Sequence, residues 1–240
     1  GSGLQFLGNP LQPDAQKKVH LDEMKAFLNG GFNGSGVVLN SGIRNDKDGE
    51  EKIFNFMNSM YQELGAGQHN NPWGVGQITM NGDMRNVFYA EKVLQAFQPE
   101  LLVVNMFAVD VCHSNFTQYC DALRRADWAV NHLWHTIQNT PELANDTILV
   151  IAPEIGRNAT ANSILDKNGR GGLDHTSDDS MSRELFSLIL GPPGIVNQGK
   201  VVDTVYGESI DIVPTIANIL GFDSDMGVNL PGKILQEAFV

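Results

Sequence analysis

The strongest helical periodicity in the chain lies between two short apolar runs, Leu101-Leu-Val-Val-Asn-Met-Phe107 and Thr147-Ile-Leu-Val-Ile-Ala152. Phe116, Tyr119, Cys120, Leu123, Ala126, Val130, Leu133, Trp134 and Ile137 recur there at steps of three and four, which predicts an amphipathic helix over 115–138. A third run, Leu185-Phe-Ser-Leu-Ile-Leu190, a strand-like segment from Lys200 to Tyr206 and a helical pattern from Ile210 to Leu220 continue the alternation. Branched apolar runs alternating with helices are the pattern of a parallel sheet with crossover helices. The expected fold class is therefore α/β, a mostly parallel sheet sandwiched by helices.

The first hundred residues are less regular. Residues 1–19 are polar and contain Pro10 and Pro13, so they read as a lead-in to a single α/β domain spanning 20–240. Within it, a short helix is expected at Asp22 to Asn29, a strand at Gly36 to Asn40 and a helix at Glu50 to Leu64. A glycine-rich loop over 65–82 and a helix over 84–97 complete this part. A chain of 240 residues, 42% of them hydrophobic, can bury a sizeable core.

Charge narrows the choice of partner. Sixteen Lys and Arg against 28 Asp and Glu give a formal charge of −12, which opposes binding to nucleic acid or to an anionic membrane. No run approaches the ~18 apolar residues of a spanning helix. Cys112 and Cys120 are too few for a disulfide framework or a zinc ribbon.

Chemistry-bearing residues collect where the expected strands end. Asp110 and His113 follow the first run, Glu154 follows the second, and His175 lies in the loop that leads to the third. Open parallel sheets bind ligands at the carboxyl ends of their strands. Carboxylate oxygen and imidazole nitrogen are the donor set of a catalytic zinc or a related divalent ion. The plain alternative is that acidic residues often end strands and that a loop histidine is solvated. The stretch Gly156 to Ser182 has only scattered apolar residues, and loops of more than about 15 residues without secondary structure are uncommon and often functional. In it, Asp174, Asp178 and Asp179 read first as hydrating residues and second as oxygen ligands.

The segment Asp110-Val-Cys-His113, with Tyr119, Asp127 and the helix 115–138, resembles the metal-binding segment of the alkaline phosphatase superfamily. Thr147-Ile-Leu-Val-Ile-Ala-Pro-Glu-Ile-Gly156 stands where those proteins have a strand ending in Asp-His-Gly. Gly172-Leu-Asp-His175 resembles their last metal histidine, and Ser209-Ile-Asp-Ile-Val-Pro-Thr215 is similar to the start of the sulfatase closing helix. Glu154-Ile-Gly-Arg157 followed by Gly172-Leu-Asp-His175 is most similar to a sulfatase-like branch of unknown function. The resemblance covers about 84–238 and implies the C-terminal part of such a protein.

It also implies a metal-dependent hydrolase of small phosphate or sulfate esters. Asp110, His113, Glu154 and His175 would be metal ligands, Arg157 the catalytic partner of an ester oxygen, and the ion zinc, with manganese or calcium as alternatives. Such proteins point to a periplasmic or extracellular setting. Asp110 and His113 are three positions apart where phosphatases have four, and Ile155 stands in place of a metal-binding histidine, which implies one ion rather than two. The family nucleophile has no match in residues 1–100. The competing expectation is a superfamily member without catalysis that serves as a binding or assembly module.

Overall fold

The computed structural model of the protein describes residues 47–74, 76, 80–225 and 231–240. The helix expected at Asp22 to Asn29 and the strand expected at Gly36 to Asn40 lie outside the described residues. The remainder forms two compact units, one with residues up to Lys92 together with Val104–Phe107, the other with Val93–Val103 and Ala108–Val240.

The first unit is built on helix α1, Lys47–Gly65, and the part of helix α2, Gly82–Phe97, up to Lys92. Its buried side chains include Met57, Met60, Met80, Met84, Val87 and Phe88. Buried His69 sits between two of its neighbours in the fold, with Nδ1 2.9 Å from the Tyr89 hydroxyl and Nε2 3.0 Å from a Glu63 carboxylate oxygen. Burial pushes the Tyr89 hydroxyl up to about 12. The phenol is therefore a neutral hydrogen-bonding group of the interior. Buried Asp83 accepts the backbone N–H of Phe107 at 2.8 Å, so this carboxylate holds the end of the 101–107 segment.

The second unit contains helix α3, Phe116–Gln138, then α4, Pro141–Ala144, α5, Ser180–Arg183, and α6, Ile212–Ile219. Helix α3 spans the expected residues, but its buried line runs through Ala122, Ala129, Leu133 and Ile137, whereas Leu123 and Cys120 of the expected stripe are exposed. Two alanines in that line leave room for backbone to approach the helix. Before it, Ala108–His113 forms a turn of 3₁₀-helix around the fully buried Cys112.

The expectation of an α/β fold with a mostly parallel sheet is overturned. The protein is mostly helical, 47% helix and 6% strand, and the one sheet among the described residues is two-stranded and antiparallel. Strand β1, Leu149–Ile151, pairs with β2, Leu188–Leu190, in the register Leu149 to Leu190, Val150 to Ile189 and Ile151 to Leu188. Branched apolar residues favour extended backbone, but they do not choose a pairing partner. Residues 101–107 are in no strand, and Val103 and Phe107 are 70% and 63% exposed, where parallel strands are covered on both faces. The strand expected from Lys200 to Tyr206 is also not formed, and Val205 is 96% exposed. No helix among the described residues is long and apolar enough to cross a membrane.

Candidate metal centre

The 3₁₀ turn and the polar loop that follows β1 are joined by backbone. Leu173 donates its N–H to the Cys112 carbonyl at 2.9 Å, and Asn162 Nδ2 donates to the His113 carbonyl at 3.0 Å. Gly172 makes this closeness possible, because a Cβ there would lie 2.2 Å from the His113 oxygen. Gly156 has the same function at the other end of the loop, where its N–H donates to the Ser182 carbonyl at 2.8 Å. A Cβ at 156 would meet the Met181 carbonyl oxygen at 2.2 Å. Within the loop, Asn158 donates its N–H to the Asp174 carbonyl, and its side-chain oxygen accepts from the N–H of Thr176. The segment expected to be a long loop is thus irregular but held by hydrogen bonds along its length.

Asp166 fastens the loop to α3. Its carboxylate accepts the Thr117 hydroxyl at 2.6 Å and N–H at 2.8 Å, and also the N–H groups of Asn168 and Arg170 at 2.8 and 3.0 Å. Asn115 caps the same helix by accepting the Gln118 N–H at 3.0 Å. An anion at a helix N-terminus meets unpaired N–H groups and the positive end of the helix dipole. The Thr117 hydroxyl, with the backbone donors, holds the Asp166 carboxyl well below the usual carboxylate range.

A carboxylate whose folded value is depressed stabilises the fold above its unfolded value of about 4, and that contribution is lost as pH falls towards the folded value. Wild-type protein should therefore lose stability as pH is lowered from 4 to 2, in the window set by this depression. Asp166→Asn should be less stable at pH 7 and show a shallower acid slope. Urea midpoints at pH 7 and pH 3 check both. Equal midpoints for the two proteins at pH 7 would show that the cap contributes nothing.

At the turn, Asp110, His113 and His175 bring one donor atom each to within 4.8 Å of one another. The His113 and His175 rings meet edge to face, with centroids 4.9 Å apart and planes inclined at 65°. His113 is oriented from behind, because its Nδ1 is 2.8 Å from Asp174 Oδ1, and that oxygen also accepts Asn162 Nδ2 at 3.0 Å. On the other side, Arg157 Nη1 lies 3.1 Å from His113 Nε2, and Nη2 donates to Asp110 Oδ1 at 3.2 Å and to the Val109 carbonyl at 3.3 Å. A guanidinium can only donate, so Nε2 accepts and the ring proton resides on Nδ1, shared with Asp174.

The electrostatics follow from these contacts. The hydrogen bond from Arg157 holds the Asp110 carboxyl below its ordinary value, and the bond from His113 does the same for Asp174. Burial pushes the Cys112 thiol up, so it is a neutral packing group and not a thiolate ligand.

Of the residues expected from the sequence, Asp110, His113, His175 and Arg157 are brought together. Glu154 is exposed and lies outside the three-residue group, and Ile155 is likewise exposed. Asp174, read from the sequence first as a hydrating residue, orients His113, and Asp166, to which the sequence assigned no role, fastens the loop to α3. The signal for Asp174 was its adjacency to His175; for Asp166 it was the turn sequence Asp166-Lys-Asn-Gly-Arg170.

The donor set fits a divalent ion. Two imidazoles and a carboxylate are borderline ligands of the kind zinc takes. His113 Nε2 and Asp110 Oδ1 stand 3.4 Å apart. Two ligands on one tetrahedral ion with bonds of about 2.1 Å are separated by about 3.4 Å as well. A carboxylate behind the imidazole, here Asp174, is the usual outer partner of a metal-bound histidine. Compared with protein-family models, with curated proteins and with solved structures, the chain matches none.

Proposed function

We propose that the chain holds a single divalent ion, zinc in the first instance, on Asp110, His113 and His175, and that it hydrolyses small phosphate or sulfate esters. The observation that carries the reading is the convergence of these three donors with Asp174 fixing the tautomer of His113. When bound, such an ion polarises an ester oxygen and lowers the pKa of a coordinated water. The protein's own residues supply the remainder. Asp174, itself held by Asn162, leaves the His113 Nε2 lone pair facing Asp110 and Arg157. Arg157, with a side chain only 12% exposed, offers a planar fork of donors matched to the oxygens of a sulfuryl or phosphoryl group. Exposed Asp110 and His175 leave the group open to solvent and to a small substrate.

A non-catalytic binding module is the second reading, favoured by Glu154 lying outside the group. The two are separated by metal content and turnover. Protein purified without chelator should bind about one equivalent of zinc, and His175→Ala should lose it. Asp174→Asn should weaken zinc by about 10–100-fold, the usual cost of removing an outer carboxylate. Calorimetric titration reads both, and aryl phosphate and aryl sulfate esters test turnover. Zinc affinity unchanged in His175→Ala would refute the site. Zinc binding without hydrolysis of either ester class would favour the module.

A further inference from the structure

We infer that Arg157 is a built-in cation that occupies the metal position, so that metal loading requires its guanidinium to leave His113 and Asp110. The inference rests on the metal-site reading above and adds a regulatory step to it. Its basis is a competition for the same two electron pairs. His113 Nε2 and Asp110 Oδ1, two acceptors only 3.4 Å apart, repel unless a cation lies between them. Arg157 is that cation, with one nitrogen on each acceptor at 3.1 and 3.2 Å and a third contact to the Val109 carbonyl.

Zinc–imidazole bonds are about 2.0–2.1 Å long. An ion on His113 Nε2 cannot coexist with a guanidinium nitrogen 3.1 Å from the same lone pair. Asp174 already accepts the proton on Nδ1, so the ring has no second lone pair to offer without first giving up that bond. Loading thus exchanges one cation for another. The displaced guanidinium, released beside the ion, is the group then free to pair with an ester oxygen. The metal-free form keeps its charges paired while the metal is away.

Titration of the full chain with zinc alone tests the exchange. Arg157→Gln removes the competing charge, and it should bind zinc about tenfold more tightly than wild type, since the ion no longer displaces charge-assisted hydrogen bonds. A second readout needs only the wild-type protein: the Arg157 Nε–Hε resonance should shift as zinc is added and saturate with the binding isotherm. Wild type that binds zinc, with equal or weaker affinity in Arg157→Gln, or with an unmoved Arg157 resonance at saturation, would overturn the exchange and leave the metal site standing. Zinc binding by neither protein would overturn both.

Discussion

Gly172→Ala is expected to abolish the proposed zinc binding without altering any side chain of the candidate centre. The new Cβ would sit 2.2 Å from the His113 carbonyl oxygen and 2.8 Å from that of Cys112. Both obstacles are backbone, in a turn whose Cys112 is fully buried, so the loop must retreat from the turn. The Leu173 to Cys112 bond at 2.9 Å and the Asn162 to His113 bond at 3.0 Å would lengthen together. His175, three residues along the same strand of loop, would move away from His113 and Asp110. Overpacking of this kind costs about 1–3 kcal/mol. Gly169→Ala is the control, because its φ of +75° brings strain but its Cβ meets open space. That variant should lose about 1 kcal/mol and keep its zinc. Urea unfolding and zinc titration of the pair decide the matter, and wild-type zinc affinity in Gly172→Ala would show that the loop does not depend on this contact.

Asp211→Ala should produce the larger loss of stability, with the candidate centre left intact in the folded fraction. Buried Asp211 accepts the N–H of Glu208 at 2.8 Å and that of Lys233 at 2.7 Å. Fully buried Thr215 completes the arrangement, donating its hydroxyl to the Asp211 carbonyl at 2.6 Å and accepting the Leu235 N–H at 3.0 Å. One carboxylate and one hydroxyl thus tie the start of α6 to the chain on both sides of it. An unsatisfied buried donor costs about 1–3 kcal/mol, so the Ala variant should lose on the order of 3 kcal/mol, and Thr215→Val about half of that. Chemical denaturation measures both. A loss under about 1 kcal/mol for Asp211→Ala would mean that water replaces the carboxylate, and that these donors are not sealed from solvent.

The motif Asp211-Ile-Val-Pro-Thr215 was legible in the sequence as a pattern, but its role was not. Nothing in the spacing says that its polar groups bind backbone segments separated by about 20 positions in the chain. Helix α3 was legible because one physical cause, burial of one face, repeats every three to four residues. The sheet was misread because an apolar run has a preference for extension and none for a partner. Only three residues of the second run and three of the third pair, in the antiparallel sense. The nearness of Asp110, His113 and His175 was expected from donor chemistry and chain position, although the parallel sheet invoked to gather them is not formed. Their actual cause is a glycine-rich loop returning to a 3₁₀ turn. Glu154 is exposed and lies outside the group, and Asp174 was read first as a hydrating residue because an aspartate in a polar loop looks the same whether it hydrates or orients.

The bonds that build the centre join positions far apart along the chain: 61 residues separate His113 from Asp174, 44 separate it from Arg157, and 49 separate Thr117 from Asp166. Helix α3, by contrast, is held by contacts four residues apart. Closing loops of that size must precede any reward from the contacts they make, so the helix is expected to form first and the centre last. A newly made chain would pass through an interval with α3 formed, Asp110 and His113 exposed, and no second histidine to share an ion. Metal captured in that interval would meet an incomplete set of ligands, and the final one would arrive with the loop.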